Sequence, residues 1–293
     1  MVPGETVEVR KVLGARGMKK LVVVRGAGDL ASGTIARLAV AGFPVMALET
    51  ARPLAVRRGA SFSEAVYEGS AVIEGLEARR AERPEDCPGL LGQGLVPILV
   101  DPDARCLALL SPFCLVDAVM AKRNIGTRAS MAPVVIALGP GYRAGPGRGR
   151  EADAHAVIET MRGHDLGRVI WEGEALADTG CPGEIGGKSA ERVLRAPLAG
   201  RFRALKAIGD RVEAGGLVAL VAAGGVTTGI PSSFDGILRG ILRDGMDVEA
   251  GTKVGDIDPR CERGHCFSIS DKSRAIAGGV LEALLHLEAE LGA

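Results

Sequence analysis

Apolar residues come first as a continuous run, Leu21 to Val24, and then change spacing to Leu30, Ile35, Leu38 and Ala39 before Gly42. The run predicts a buried strand and the spacing predicts one face of a helix. A second apolar run, Pro44 to Leu48, closes a βαβ unit at Glu49. Downstream, "SFSEAVYEG" at 61–69 predicts a short helix with a hydroxyl cap, and "LVPILVDP" at 95–102 and "CLALLSP" at 106–112 predict buried strands. "VDAVMAKRNIGT" at 116–127 predicts a helix carrying Asp117 and Lys122 into a turn. "APVVIALGPGYRAG" at 132–145 repeats the strand-then-glycine arrangement, and the residues between His155 and His164 suit strand and helix equally. At the end of the chain, Ser270 or Asp271 can cap a helix whose stripe is Ile276, Val280, Leu281, Leu284, Leu285 and Leu287. Gly278 and Gly279 cost that helix about 1 kcal/mol each relative to alanine, which close packing on another backbone would offset.

The middle of the chain repeats itself. "GRFRALKAIGDRVEAGGLV" from Gly200 aligns with "GILRGILRDGMDVEAGTKV" from Gly236 at an offset of 36, with Arg203/Arg239, Gly209/Gly245, Glu213/Glu249 and Gly215/Gly251 among the identities. Two copies of one hairpin-like unit follow, neither able to bury its apolar face alone. The pattern resembles biotinyl and lipoyl domains, which are barrel sandwiches. The connecting segment "VAAGGVTTGIPSSFDG" has no lysine, so the barrel architecture is expected and a carrier role is not.

The fold class expected is therefore α/β: a Rossmann-like N-terminal domain, then a mostly β region containing a barrel-sandwich repeat, then a C-terminal helix. The expected divisions are 1–17 as a disordered extension, 18–130 Rossmann-like, 131–195 a mixed, mostly β connection, 196–260 the barrel-sandwich-like domain, and 261–293 a cysteine segment with its amphipathic helix. At 293 residues the chain has room for more than one domain. With 36 basic and 36 acidic residues it has no summed field for nucleic acid or a membrane surface, and neither is expected as a partner. Residues 1–17 lack the apolar segment of a signal peptide, and the longest uncharged run, Ala214 to Phe234, holds five glycines and a proline and reads as β-structure. Six cysteines without such a signal point to a reducing cytoplasm and free thiols.

Candidate chemistry centres on the first turn. Gly26-x-Gly28-x-x-Ala31 satisfies the loose G-x-G-x-x-G/A fingerprint, in which Gly26 permits the tight turn, Gly28 admits a pyrophosphate, and the helix start offers free N–H groups. Gly33 completes the glycine set, and Glu49, 21 residues beyond Gly28, stands where an acidic residue holds a ribose hydroxyl. Asp29 places a negative charge at the helix start, where it either caps the N–H groups or repels a phosphate. Lys122 and Thr127 can hold phosphate or substrate at the strand ends; a solvated lysine and a helix stop are the alternative. Cys266, near a helix start, is a candidate nucleophile or chalcogen carrier, with a partly buried thiol as the alternative. Cys261, His265 and Cys266 are too close in sequence for a tetrahedral zinc site, and His155 and His164 lack partner ligands, so no metal is expected.

In order along the chain, "VVVRGAGDLASG", "SFSEAVYEG", "VDAVMAKRNIGT", "IALGPGYRAG", "RGHDLGRVIWEG", "ERVLRAP" and "CFSISDKSRAIAGGVLEAL" resemble the YqeB-type accessory proteins of selenium-dependent molybdenum hydroxylase systems. The likeness runs from about Met18 onward and departs in a longer, more basic loop between Gly145 and Asp153. It implies a cytoplasmic maturation factor that handles selenium or a modified molybdenum cofactor, with no reaction assigned. It implies molybdenum hydroxylases or other maturation factors as partners, and a second copy of the chain is a further candidate. Candidate ligands are a nucleotide, a dinucleotide or the molybdenum cofactor. The alternative is an NAD(P)-dependent oxidoreductase acting on a small metabolite, for which no histidine–carboxylate pair is evident.

Overall fold

A computed structural model describes residues 16–145, 152–180 and 183–292. The expected disordered extension, apart from its last two residues, and most of the basic loop after Gly145 lie outside the described residues. The chain forms two compact units. One comprises the residues up to Pro53, Ser61–Asp178 and those from Ile269; the other comprises Leu54–Ala60 and Thr179–Ser268.

The first unit begins as the periodicity predicts, with strand β1 (Val22–Arg25), helix α1 (Asp29–Val40) and strand β2 (Val45–Glu49). Then follow helix α2 (Ala65–Glu68), β3 (Ser70–Ile73), β4 (Leu76–Ala81), helix α3 (Cys87–Gly92) and β5 (Val96–Val100). Helix α4 (Leu107–Leu110), β6 (Cys114–Asp117), β7 (Val134–Leu138), β8 (Arg143–Ala144), β9 (Ala156–Ile158), β10 (Val169–Ile170) and β11 (Gly173–Glu174) complete the strands. Helix α5 (Asp271–Gly292) returns from the end of the chain. Nine strands make one sheet in the order β10-β9-β7-β6-β1-β2-β5-β4-β3, and β8 pairs with β11 separately. The interior pairs are parallel, while β3–β4 and β9–β10 are antiparallel edges.

Both faces of this sheet are covered, which is why its strands read as unbroken apolar runs. Val22 and Val24 pack with Ile35 and Leu38 of α1 and with Ile276, Val280 and Leu284 of α5. Val23 faces the other way, with Met46, Leu115 and Tyr142. Helices α1 and α5 meet closely, for a Cβ on Gly33 would stand 2.7 Å from that of Ser273, whose hydroxyl donates to the Asp29 carbonyl at 2.8 Å. A Cβ on Gly279 would collide with the Gly167 carbonyl oxygen, so this glycine does buy a close backbone approach; Gly278 meets nothing. Ser270 caps α5 by accepting from the Ser273 N–H.

The second unit holds β12 (Val193–Arg195), β13 (Gly200–Ala204), β14 (Arg211–Val212), β15 (Leu217–Ala223), β16 (Val226–Pro231), β17 (Gly236–Ile241), β18 (Asp247–Val248) and β19 (Lys253–Asp258). The starts of β13, β14 and β15 recur 36 residues later in β17, β18 and β19, and Gly209 and Gly245, both at positive φ, turn the chain at matching places. The strands form two antiparallel four-stranded sheets, β12-β19-β17-β14 and β16-β15-β13-β18, around Phe202, Val218, Val221, Leu238, Val254 and Ile257.

The expected fold class needs correction. The chain is not a Rossmann-like domain followed by a barrel-sandwich module and a separate terminal helix. Its main sheet has nine strands of mixed direction with antiparallel edges, and among the described residues the parallel connections β6–β7 and β7–β9 hold no α-helix. Two local expectations fail for related reasons. "CLALLSP" forms the single turn of α4 and no strand, since a short apolar run suits either element. "VDAVMAKRNIGT" is the end of β6 and an irregular loop, with Met120 and Lys122 at positive φ, so no helix can pass through it.

Candidate functional site

Parallel strands bring their C-terminal ends to one edge of the sheet, and chain order reverses between β1 and β6, where a crevice is expected. The register sets Arg25 beside Leu48 on one side and Asp117 on the other, with Glu49 opposite Val100. The glycine turn follows Arg25. Gly26 has φ 98°, donates its N–H to the Leu48 carbonyl at 2.7 Å, and leaves only 3.0 Å between an added Cβ and the Ala118 carbonyl oxygen. Any side chain there is strained. Gly28 is different: it caps α1 in an extended conformation, and a Cβ placed on it meets nothing within 4 Å. Open space thus lies over the start of a twelve-residue helix, whose N-terminal end favours anions.

The other predicted residues divide clearly. Glu49 turns back onto the chain, its carboxylate accepting from Ala27 N–H at 2.9 Å and Thr50 N–H at 2.7 Å, and so fixes the turn from below. Asp29 opens α1. Gly33 lies in the contact of α1 with α5 and serves packing. Thr127 is fully buried, hydrogen-bonding Asp117 and accepting from Arg25 Nη1 at 3.2 Å. Lys122 is exposed and donates to Asp178 at 2.6 Å. Turn and loop therefore bring Gly26, Gly28, Glu49 and Thr127 to one edge, with Arg25 and Asp117 between them. Cys266 belongs to the second unit.

Arg25, which the strand pattern hides, is the organising residue. Its Nε and Nη2 donate to the Pro102 carbonyl at 3.0 and 2.8 Å, and its Nη1 reaches Asp117 at 3.4 Å. Asp117 also accepts from Val119 N–H at 3.1 Å. Asn124 ties the loop with its side-chain oxygen on the Gly126 and Thr127 N–H groups and its amide nitrogen on Asp153. The Tyr142 hydroxyl is buried facing Asp117, and burial first, then that carboxylate, holds it above its ordinary pKa. An arginine closing an apolar strand was the one available signal; Tyr142 had none.

Four of the five described thiols are buried. Cys266 is buried in the 3-10 helix Arg263–Cys266, its Sγ 3.8 Å from the Leu238 carbonyl, and burial pushes it up against the opposing pull of Arg239. Burial, with Asp86 and Glu85, pushes Cys87 up to about 11. Among the described residues, no three histidine, cysteine or acidic side chains are grouped so as to hold a metal ion. No helix there is long and apolar enough to cross a membrane.

No family model matches the chain. In sequence it is similar to the uncharacterized protein YqeB of Escherichia coli (strain K12), with 48% identity over 268 residues, 92% of this chain and 48% of that protein. The chain thus spans about half the length of the curated relative it matches. Two solved structures show a partial likeness. One is an aspartoacylase family protein from Mesorhizobium loti, 14% identical, covering 81% of this chain and 84% of that one at a TM-score of 0.27. The other is a succinylglutamate desuccinylase/aspartoacylase from Rhodobacter sphaeroides, 15% identical, covering 82% and 86% at a TM-score of 0.28. Likeness at these scores carries nothing about the fold or the chemistry of this chain.

Proposed function

We propose that this chain is a maturation factor for selenium-dependent molybdenum hydroxylases and that its glycine turn holds a phosphate-bearing ligand, a nucleotide or the nucleotide-like part of a molybdenum cofactor. The pathway rests on the resemblance of the YqeB-type segments to accessory proteins of that system; the 48% identity to YqeB supports the YqeB type alone. The observation that carries the ligand is the open space over Gly28 at the start of α1, beside a Gly26 locked by φ and by the Ala118 carbonyl. Glu49 and the Arg25–Asp117–Thr127 network keep the turn and the facing loop in place and leave the helix N-terminus for the anion.

In this reading Glu49 positions the turn and selects no ribose, because Ala27 and Thr50 already engage its two carboxylate oxygens. The partner is the hydroxylase itself. The test compares that enzyme purified from cells with and without this protein, at equal molybdenum loading. The proposal expects selenium to be lost while molybdenum remains; unchanged selenium contradicts it. Isothermal titration with NAD and NADP separates the oxidoreductase alternative, which tight binding of either would revive.

A further inference from the structure

The second unit hides an imbalance of charge. Among the described residues its buried charged side chains are Arg57, Arg192, Arg239, Asp256 and Asp258, each at most 7% exposed. Asp256 and Asp258 lie on one face of β19, two residues apart. Arg192 donates from Nη2 to both oxygens of Asp256 at 3.0 and 3.2 Å and from Nε and Nη1 to the carbonyls of Ile257 and Gly183, and Arg260 takes Asp258 in a fork at 3.0 and 2.6 Å. Both carboxylates are thus committed before Arg239 reaches them. Arg57 donates to the carbonyls of His265 and Ser268.

Arg239 is placed there by a defect in the ladder. Leu238 pairs with Ile257 and Gly240 with Asp256, so Arg239 is the extra residue of a β-bulge, a device that re-aims a side chain. Its repeat counterpart, Arg203, lies in a regular ladder opposite Leu220 and is exposed. The residues 36 before Asp256 and Asp258 are the apolar Leu220 and Ala222. One copy of the repeat carries a buried charged cluster that the other lacks. Arg239 stands 3.8 Å from both carboxylates, too far for hydrogen bonds, and its buried Nε has no acceptor among the described residues. A buried guanidinium without an acceptor is costly and implies a missing one.

We propose that Arg239, with the positive charge of Arg57 and Arg192 close by, anchors a buried site for a small free tetrahedral oxyanion of the phosphate or sulfate class. Guanidinium N–H groups match such oxygens better than any other side chain, and side chains at most 7% exposed favour a small free anion over a bulky phosphate ester. This site is independent of the glycine turn.

The test is thermal unfolding of the full chain in sodium phosphate against sodium chloride at equal ionic strength. With the glycine turn filled by Gly28→Val, phosphate is expected still to raise the midpoint saturably and AMP to fail to do so. Arg239→Lys keeps the charge but lacks the Nε donor, and is expected to weaken the apparent phosphate affinity at least tenfold, while Arg203→Lys leaves it unchanged. Should Arg239→Lys not fold, Asp258→Asn removes a competing negative charge and is expected to tighten phosphate binding. Equal midpoints in the two salts overturn the site, as do an unweakened Arg239→Lys or a response lost in Gly28→Val.

Discussion

The two units handle buried charge in opposite ways. At the strand ends of the first unit the buried carboxylates, Asp117 and Glu159, are satisfied by local donors: Asp117 by Arg25, Thr127 and the Val119 N–H, and Glu159 by the N–H groups of Thr160, Met161 and Leu176. In the second unit guanidiniums outnumber carboxylates, and Arg239 reaches its partners only at 3.8 Å. A closed network of the first kind fixes the shape of an edge and leaves the ligand to backbone N–H groups. An open one of the second kind is itself poised to take an anion.

The sharpest break of this contrast is Asp117→Ala, which strips Arg25 of its buried counter-charge and is expected to cost about 3–5 kcal/mol of stability in urea unfolding. Gly26→Ala comes next, at about 3 kcal/mol, from the strained φ and the approach to the Ala118 carbonyl. Gly33→Ala is expected to lose about 1–2 kcal/mol against Ser273, whereas Gly28→Ala stays within roughly 0.5 kcal/mol, separating the packing glycine from the ligand glycine.

The contrast also has a pH signature. Burial alone would raise the Asp258 carboxyl, but the hydrogen bonds and charge of Arg260, with Arg239, overcome it and hold the group at about 2. A depressed pKa stabilises the fold above the unfolded value near 4 and loses that contribution as pH falls through 2. Asp258→Asn should therefore flatten the stability profile of the chain between about pH 4 and 2. The smallest effect is on thiol labelling. Of the five described cysteines only Cys261 is partly exposed, so brief alkylation of the folded chain should mark Cys261 well before Cys266.

Much of the first unit was legible because periodicity reports burial: β1, α1, β2 and α5 stand where the apolar spacing puts them. The repeat was legible because self-similarity needs no knowledge of contacts. Sheet order and edge direction were not, since pairing partners such as β9 and β10 are set by long-range register. The loop after β6 was missed because its conformation is dictated by Asp117 and Asn124 side chains bonding backbone N–H groups, and Val-Met-Ala-Lys looks helical in their absence. Glu49 was placed at the right edge, but its capture by Ala27 N–H is a matter of one rotamer. Arg239 looked like its repeat twin until the bulge turned it inward.

The selenium-to-molybdenum ratio of the hydroxylase would be determined from cells carrying the parent chain, Gly28→Val or Cys266→Ser, each confirmed to be folded. A valine fills the open space over α1, so the account predicts that Gly28→Val lowers selenium to the level of cells without the protein, while Cys266→Ser, a packed thiol, retains it. Full selenium with Gly28→Val would contradict a ligand held at the glycine turn.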